Sequence, residues 1–372
     1  MMAKVRRRAT SCSSGFVTPN PEDEGVELLP IRVLRQGKAF AVAQSAPPWQ
    51  LEIGVICMTE LALVGDIGGT NSRFGLVEPG ASGVSRVAVQ KNAQFASLEA
   101  SIAAYLEAQG VGALAAAAIA VAGPIEGETV SLTNRDWHFS RESLRAAAKA
   151  RRFRLLNDFE ALALSLPHLG ADDLVRIGGE TPGKPAVKIV LGPGTGLGMA
   201  TLAPLPGGGW MALPGEVGHI TLPVVTQAEF DWRERMTVPG TPFESEDAIT
   251  GGGLLRMYRA VAENPVLSTP EEVLSAALAE TNAAAVRTVD QFIVWLARIA
   301  GDAAMTMQAR GGVYLAGGIA PSIAGRLQDG PFRSIFEEKG RLAHVMRPIP
   351  VYVIVDRFPA FKGCAAAIAE MR

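Results

Sequence analysis

The chain has 372 residues, enough for about two domains at ~150 residues each, and its 48% hydrophobic and 19% charged residues place it among folded globular proteins. Lys and Arg number 35 against 37 Asp and Glu, and this near-neutral balance of −2 excludes a surface built to neutralise nucleic-acid phosphates. Three scattered cysteines, Cys12, Cys57 and Cys364, exclude a disulfide framework or zinc cluster and fit a reducing, cytoplasmic compartment. The longest apolar stretch, 111–123, falls short of the ~20 residues of a membrane span.

Residues 1–57 differ in character from the rest. Arg6-Arg7-Arg8 imitates the basic start of an export signal, but Ser, Pro and the acidic cluster Glu22-Asp23-Glu24 replace the apolar segment that export requires. Met58-Thr59-Glu60 leads directly into an apolar strand pattern, as a first codon would, so 1–57 is read as an extension or an upstream start; the alternative is a flexible arm.

From Leu61 onward, short β runs, glycine turns and helical segments alternate. Strands are predicted over 61–64 and 74–77 around the glycine turn Gly65-Asp66-Ile67-Gly68-Gly69-Thr70-Asn71-Ser72-Arg73, then over 84–89. A helix is predicted over 98–106, and a central strand over 115–121 stops at Ala122-Gly123-Pro124. Leu155-Leu156 ends a further strand, and Asn157-Asp158 opens a helix carrying Leu162, Leu164 and Leu166.

The order then partly repeats. A strand over 187–191, the turn Gly192-Pro193-Gly194-Thr195-Gly196-Leu197-Gly198, and strands over 199–202 and 210–213 follow. Helices are predicted over 253–262, 271–279 and 283–308, the last burying Val286, Val289, Phe292, Ile293, Leu296 and Ile299 at spacings of three and four. Strands at 313–315 and 351–354 and a closing helix at 361–370 complete the pattern. Two halves that each open with strand, glycine hairpin and strand imply a duplicated α/β architecture with a central cleft. One lobe is expected over 61–168, completed by 358–372, and the other over 169–357.

Two phosphate-binding signatures nearly match and fail. Gly178 to Lys184 has the spacing of a P-loop, but Pro185 stands where a metal-binding hydroxyl is needed, and the run precedes a strand, so it is read as a surface loop. The turn at 192–198 has Leu197 or Met199 where a dinucleotide fingerprint requires a small residue. What the glycine hairpins offer is a backbone cradle, since N–H groups without a neighbouring Cβ approach phosphate oxygens closely. The first loop adds the Asp66 carboxylate, suited to Mg²⁺ directly or through water, with Thr70, Asn71 and Arg73 suited to a polyphosphate. The bland alternative is a tight turn that simply needs glycine. Gly194-Thr195-Gly196 repeats the cradle in the other half, so two facing loops suit a nucleoside triphosphate, with Thr250-Gly251-Gly252-Gly253 and Gly317-Gly318 placed to flank the nucleoside.

Six ordered motifs carry a resemblance. Gly65 to Arg73, Leu132-Thr133-Asn134, Leu156-Asn157-Asp158-Phe159-Glu160-Ala161, Gly192 to Gly198, Pro214-Gly215-Glu216-Val217-Gly218-His219 and Ala316-Gly317-Gly318-Ile319-Ala320-Pro321 resemble bacterial glucokinases of the type without a zinc motif. The resemblance implies the two-domain actin-like ATPase (ribonuclease H-like) fold and ATP-dependent, Mg²⁺-assisted phosphorylation of glucose at its 6-hydroxyl. It covers the chain from about Leu61 to its end and leaves 1–57 and the segment 222–245 unmatched. It implies Asp158 as general base, Asn157, Glu216, His219 and Glu246 as sugar contacts, and the glycine loops, including Gly65, Ile67, Gly68 and Gly69, as the ATP site. A homodimer is implied by the resemblance alone, with neither nucleic acid nor membrane as partner.

Physical chemistry supports a base at Asp158: a sugar hydroxyl attacks phosphorus poorly unless its proton has an acceptor. From spacing alone, Asn157-Asp158 also reads as a helix cap, His219 as a satisfied core histidine, and Glu246 as a carboxylate near a helix N-terminus. Kinases of fructose, mannose or amino sugars share the expected architecture. So does a sugar-sensing regulator without turnover, although 1–57 shows no pair of DNA-binding helices.

Overall fold

The computed structural model describes residues 60–78, 83–125, 127–132 and 136–371, together with two short strands nearer the amino terminus. The chain divides into two compact units, Met1–Ala46 and Pro47–Arg372. In the first, β1 (Leu34–Arg35) and β2 (Lys38–Ala39) pair antiparallel. The other expectations for 1–57, and Thr133 and Asn134 of one motif, lie outside the described residues.

The second unit holds two sheets built on one strand plan. In the first sheet β3 (Ala62–Ile67), β4 (Asn71–Val77) and β5 (Val84–Lys91) form an antiparallel meander. Helix α1 (Leu98–Ala108) leads to β6 (Leu114–Val121), which pairs parallel with β3. The small hairpin of β7 (Thr129–Ser131) and β8 (His138–Ser140) and helix α2 (Arg141–Ala147) lead to β9 (Ala150–Asn157), parallel to β6. The order is β5-β4-β3-β6-β9.

Helix α3 (Asp158–Ser165) and β10 (Leu174–Gly178) lead into the second copy. There β11 (Lys188–Pro193), β12 (Leu197–Pro204) and β13 (Trp210–Gly215) repeat the meander. Four helices follow: α4 (Gln227–Met236), α5 (Gly251–Val261), α6 (Pro270–Leu278) and α7 (Ala283–Met307). Then β14 (Gly312–Leu315) pairs parallel with β11; the short helices α8 (Ile319–Ser322), α9 (Ala324–Asp329), α10 (Phe332–Glu337) and α11 (Ala343–Met346) lead to β15 (Val351–Ile354), parallel to β14. With β10 at the edge the order is β10-β15-β14-β11-β12-β13, and α12 (Pro359–Glu370) ends the chain. The duplicated α/β core expected from the two glycine hairpins is present strand for strand.

Helices α3 and α12 lie between the two sheets. One apolar core joins Val64 and Ala118 of the first sheet to Val190, Leu202 and Tyr314 of the second through Leu164 of α3 and Phe361 of α12. Strand β6 is buried along its whole length, and its sequence LAAAAIAV suits that place, because alanines let layers approach from both faces. The closest crossing is between the two helices: a Cβ on Gly363 of α12 would collide with the Ala161 carbonyl of α3. Glycine is a packing requirement there.

Several elements carried little apolar periodicity and were not predicted: β7, β8, β10, α2, α4 and the short helices α8 to α11. Helix α4 lies in the segment without a motif. A capping box starts it: Thr226 Oγ1 accepts from the Glu229 N–H at 3.3 Å, and Glu229 Oε2 accepts from the Thr226 N–H at 3.2 Å. Glu229 is buried and salt-bridged to Arg298 of α7 at 2.8 Å. The stretch resembling a P-loop leaves β10 as a loop before β11, as expected of a surface loop. Gly363→Ala is expected to lower stability by about 1–3 kcal/mol, the usual range for overpacking, read as a shifted urea midpoint at constant slope.

Candidate active site

The parallel strands of both sheets end at one cleft of about 750 Å³, the position at which open α/β sheets take ligands. Its first wall is the β3–β4 turn. Gly68 N–H donates to the Asn71 carbonyl at 3.0 Å, and the buried Asn92 amide donates to the Gly68 and Gly69 carbonyls at 2.8 and 3.2 Å. A trans peptide sets C=O and N–H on opposite sides. The N–H groups of Gly69 and Thr70 therefore point away from Asn92. Ser72 Oγ donates to Asn92 Oδ1 at 2.7 Å and completes the staple.

Asp66, at the end of β3, accepts from Arg73 Nη1 at 3.0 Å. Burial raises its carboxyl above the usual range, against the pull of the guanidinium. Gly65, Thr70 and Asn71 do not line the cleft, whereas Asp66, Ile67, Gly68, Gly69 and Arg73 do. Gly65 is a packing position: a Cβ there would lie 2.6 Å from Ile119 Cδ1, and its carbonyl accepts the Cys364 thiol at 3.5 Å.

The second wall is the N-terminus of α3. Asn157 caps it, its Oδ1 accepting from Phe159 and Glu160 N–H at 2.9 and 3.2 Å, while its amide donates to the Gly123 carbonyl at 3.0 Å. The capping reading of Asn157 is therefore correct, and Asn157 also faces the cleft. Asp158 follows as the first helical residue, with Oδ1 accepting from the Phe159 N–H at 3.0 Å. Burial pushes the Asp158 carboxyl up to about 7; the Phe159 N–H opposes this and the nearby Asp66 charge adds to it. Phe159 anchors the turn. A Cβ on Gly198 would overlap its ring, and one on Gly192 would lie 2.9 Å from it.

The third wall belongs to the second sheet. The turn 194–196 is pinned by the Gly251 N–H donating to the Gly194 carbonyl at 3.0 Å, and Gly317, at φ +81°, lies against the Pro193 carbonyl. Glu246 Oε2 accepts from the Leu197 N–H at 3.3 Å and packs where Cβ atoms on Gly196 and Gly218 would sit. Glu216, His219 and Glu246 all line the cleft with Gly194, Thr195, Gly196, Gly317 and Gly318. His219 is not a core histidine: its side chain is 54% exposed and its Nδ1 lies 2.6 Å from Glu244 Oε2. That hydrogen bond holds the imidazole above its usual range; desolvation opposes it, and the charges of Glu246, Glu244 and Glu216 add to it.

Asn92, Glu244 and Arg357 were not singled out in the sequence. Asn92 follows a strand and Glu244 precedes a short turn with nothing but composition to mark them, and both act through contacts distant in the chain. Among the described residues no group of three or more His, Cys, Asp or Glu forms a metal cage. No helix among them is long and apolar enough to cross a membrane.

Known proteins match this chain over the same region. The Glucokinase family model matches residues 63–371. A glucokinase of Cupriavidus pinatubonensis is 41% identical over 317 residues, covering 83% of this chain and 92% of its own length. One of Chromobacterium violaceum is 39% identical over 315 residues, covering 83% and 89%. Among solved structures, glucokinase from an Antarctic psychrotroph superposes with a TM-score of 0.74 at 29% identity, covering 83% of this chain and 99% of its own. With the duplicated sheets around one cleft, these matches establish the actin-like ATPase fold, and the chain belongs to the glucokinase family.

Proposed function

We propose that this chain transfers the terminal phosphoryl group of ATP to the 6-hydroxyl of glucose, with Asp158 as the general base. The observation that carries the reading is a buried carboxylate, its pKa raised to about 7, in one cleft with two glycine turns and with the side chains of Asn157, Glu216, His219 and Glu246. A base with a pKa near the working pH is ionised often enough to accept a proton and basic enough to draw it from the attacking hydroxyl. Phosphoryl transfer otherwise demands mainly positioning and charge stabilisation.

The Gly68-Gly69 segment of the first turn, with the Gly69 N–H pointing away from Asn92, and the 194–196 turn suit phosphate oxygens, and Gly317 and Gly318 suit the nucleoside. Asn157, Glu216, His219 and Glu246 suit the sugar. Glu216 and Glu246 would accept from hydroxyls, and His219 has a second ring nitrogen besides the one paired with Glu244 for the others. A site that hydrogen-bonds several hydroxyls rejects sugars that leave its polar groups unpaired.

The donor set fits a Mg²⁺ that keeps several waters and is held by Asp66, since such ions take one or two carboxylates together with substrate phosphates. When bound, it would neutralise phosphate charge. The division into lobes at 61–168 with 358–372, and 169–357, suits closure of the cleft, which would keep water from the phosphoryl group. A homodimer and a cytoplasmic location are proposed on the family resemblance.

In assays of glucose 6-phosphate formation, Asp158→Ala should lower kcat by about 10²–10⁴-fold while glucose binding weakens far less; near-normal turnover would remove Asp158 from the chemistry. The kcat of the native enzyme should fall about tenfold per pH unit below roughly pH 7, because the base is then protonated.

The same shift affects stability. Native Asp158 keeps its proton up to about 7, whereas the unfolded carboxyl releases it near 3.8, so stability falls as pH rises through that interval. Asp158→Asn should therefore raise Tm by a few degrees at pH 8 and by little at pH 4, measured by calorimetry. Asn92→Ala should raise the KM for ATP more than the KM for glucose, since it frees the first phosphate turn; equal changes in both would argue for a general structural role.

A further inference from the structure

The charged residues of the cleft are unevenly committed. Its carboxylates are Asp66, Asp158, Glu216, Glu246 and Asp356, and its cationic side chains among the described residues are Arg73, His219 and Arg357. Arg73 is held by Asp66 at 3.0 Å and His219 by Glu244 at 2.6 Å. The carboxylates thus outnumber the cations in a cleft that must receive a triphosphate.

Arg357 is different. Its backbone lies beyond the C-terminal end of β15, at the same sheet edge as Gly317-Gly318 and the 192–198 turn. The turn that carries it is fixed on both sides. Asp356 Oδ1 accepts from the Phe358 N–H at 2.9 Å, and Asp356 Oδ2 lies 2.9 Å from Lys362 Nζ. The Phe358 ring stacks on Phe361 with centroids 5.4 Å apart. The Arg357 guanidinium lies 5.1 Å from the centroid of the Phe358 ring, a contact that restricts the side chain and leaves its N–H groups available. The neighbouring Asp356 carboxylate is ion-paired with Lys362.

We propose that Arg357 donates hydrogen bonds to the phosphate oxygens of the bound nucleotide, as the cation that this chain itself contributes to the triphosphate. The proposal rests on the reading of the cleft as an ATP site. A guanidinium presents paired donors that match phosphate oxygens, and its charge never titrates away in the working range. Because Arg357 follows a strand of the second sheet and precedes α12, which packs on the first, this contact also joins the nucleotide to the segment between the two sheets.

The test uses the full chain with ATP and Mg²⁺. Arg357→Ala should raise the KM for ATP about tenfold, leave the KM for glucose within about twofold, and leave adenosine affinity by calorimetry unchanged, a split that lost folding would not produce. Arg357→Lys should recover part of the loss, and Arg357→Glu should exceed it. An ATP KM within about twofold of wild type in Arg357→Ala, or equal losses for adenosine, would overturn the proposal while leaving the kinase reading intact. If the wild-type chain forms no glucose 6-phosphate, calorimetric titration with ATP still decides: about tenfold weaker binding in Arg357→Ala supports the contact while the choice of acceptor falls. Equal binding by the two overturns it.

Discussion

The Phe159 ring lies on the backbone of Gly192 and Gly198, and much of the site depends on that close approach. It brings the N-terminus of α3 against the β11–β12 turn, so Asp158 and the second glycine turn meet at one point. The same ring fixes Asp158, its immediate neighbour, at the first helical position with the carboxylate toward the cleft. Asn157 holds the backbone from the other side through Gly123 at the end of the central strand region. A side chain on either glycine would push the helix away, and the two halves of the site would part.

The chemistry depends equally on what burial does to charge. Asp158 is kept near neutrality because taking a carboxylate out of water disfavours its ionised form and because Asp66 stands close by. The Arg73 guanidinium pairs with Asp66, and among the described residues no ion pair reaches Asp158. Across the cleft the order is reversed: three glutamates surround His219 and favour its charged form. In the proposed reaction the first side accepts a proton and the second holds hydroxyls. A carboxylate poised in this way costs the fold stability at neutral pH, a common feature of sites whose geometry serves reaction rather than stability.

The main architecture was legible because its signals are local. Strand, glycine turn and strand, twice over, specify the two meanders, and the apolar stripe of α7 and the alanine run of β6 follow from periodicity and composition. Asp158 and the glycine turns were legible as motifs. The unpredicted parts are stabilised by long-range contacts: α4 is built from charged residues and held by Glu229 against Arg298 of a distant helix. Asn92 is remote in sequence from the turn that it staples, and Glu244 from the histidine that it pairs with. Gly65 shows the converse: within a phosphate motif it serves packing, because glycine's lack of a side chain suits a tight core as well as a ligand.

The central claim is that burial holds the Asp158 carboxyl near neutrality so that it serves as the base. Carbon-13 NMR of aspartate-labelled chain, with the Asp158 signal assigned by its loss in Asp158→Asn, reads that ionisation directly. A midpoint at about pH 7 is the predicted result. A midpoint near that of an ordinary aspartate, about 4, would contradict it, and the proton of the sugar hydroxyl would then need a different acceptor.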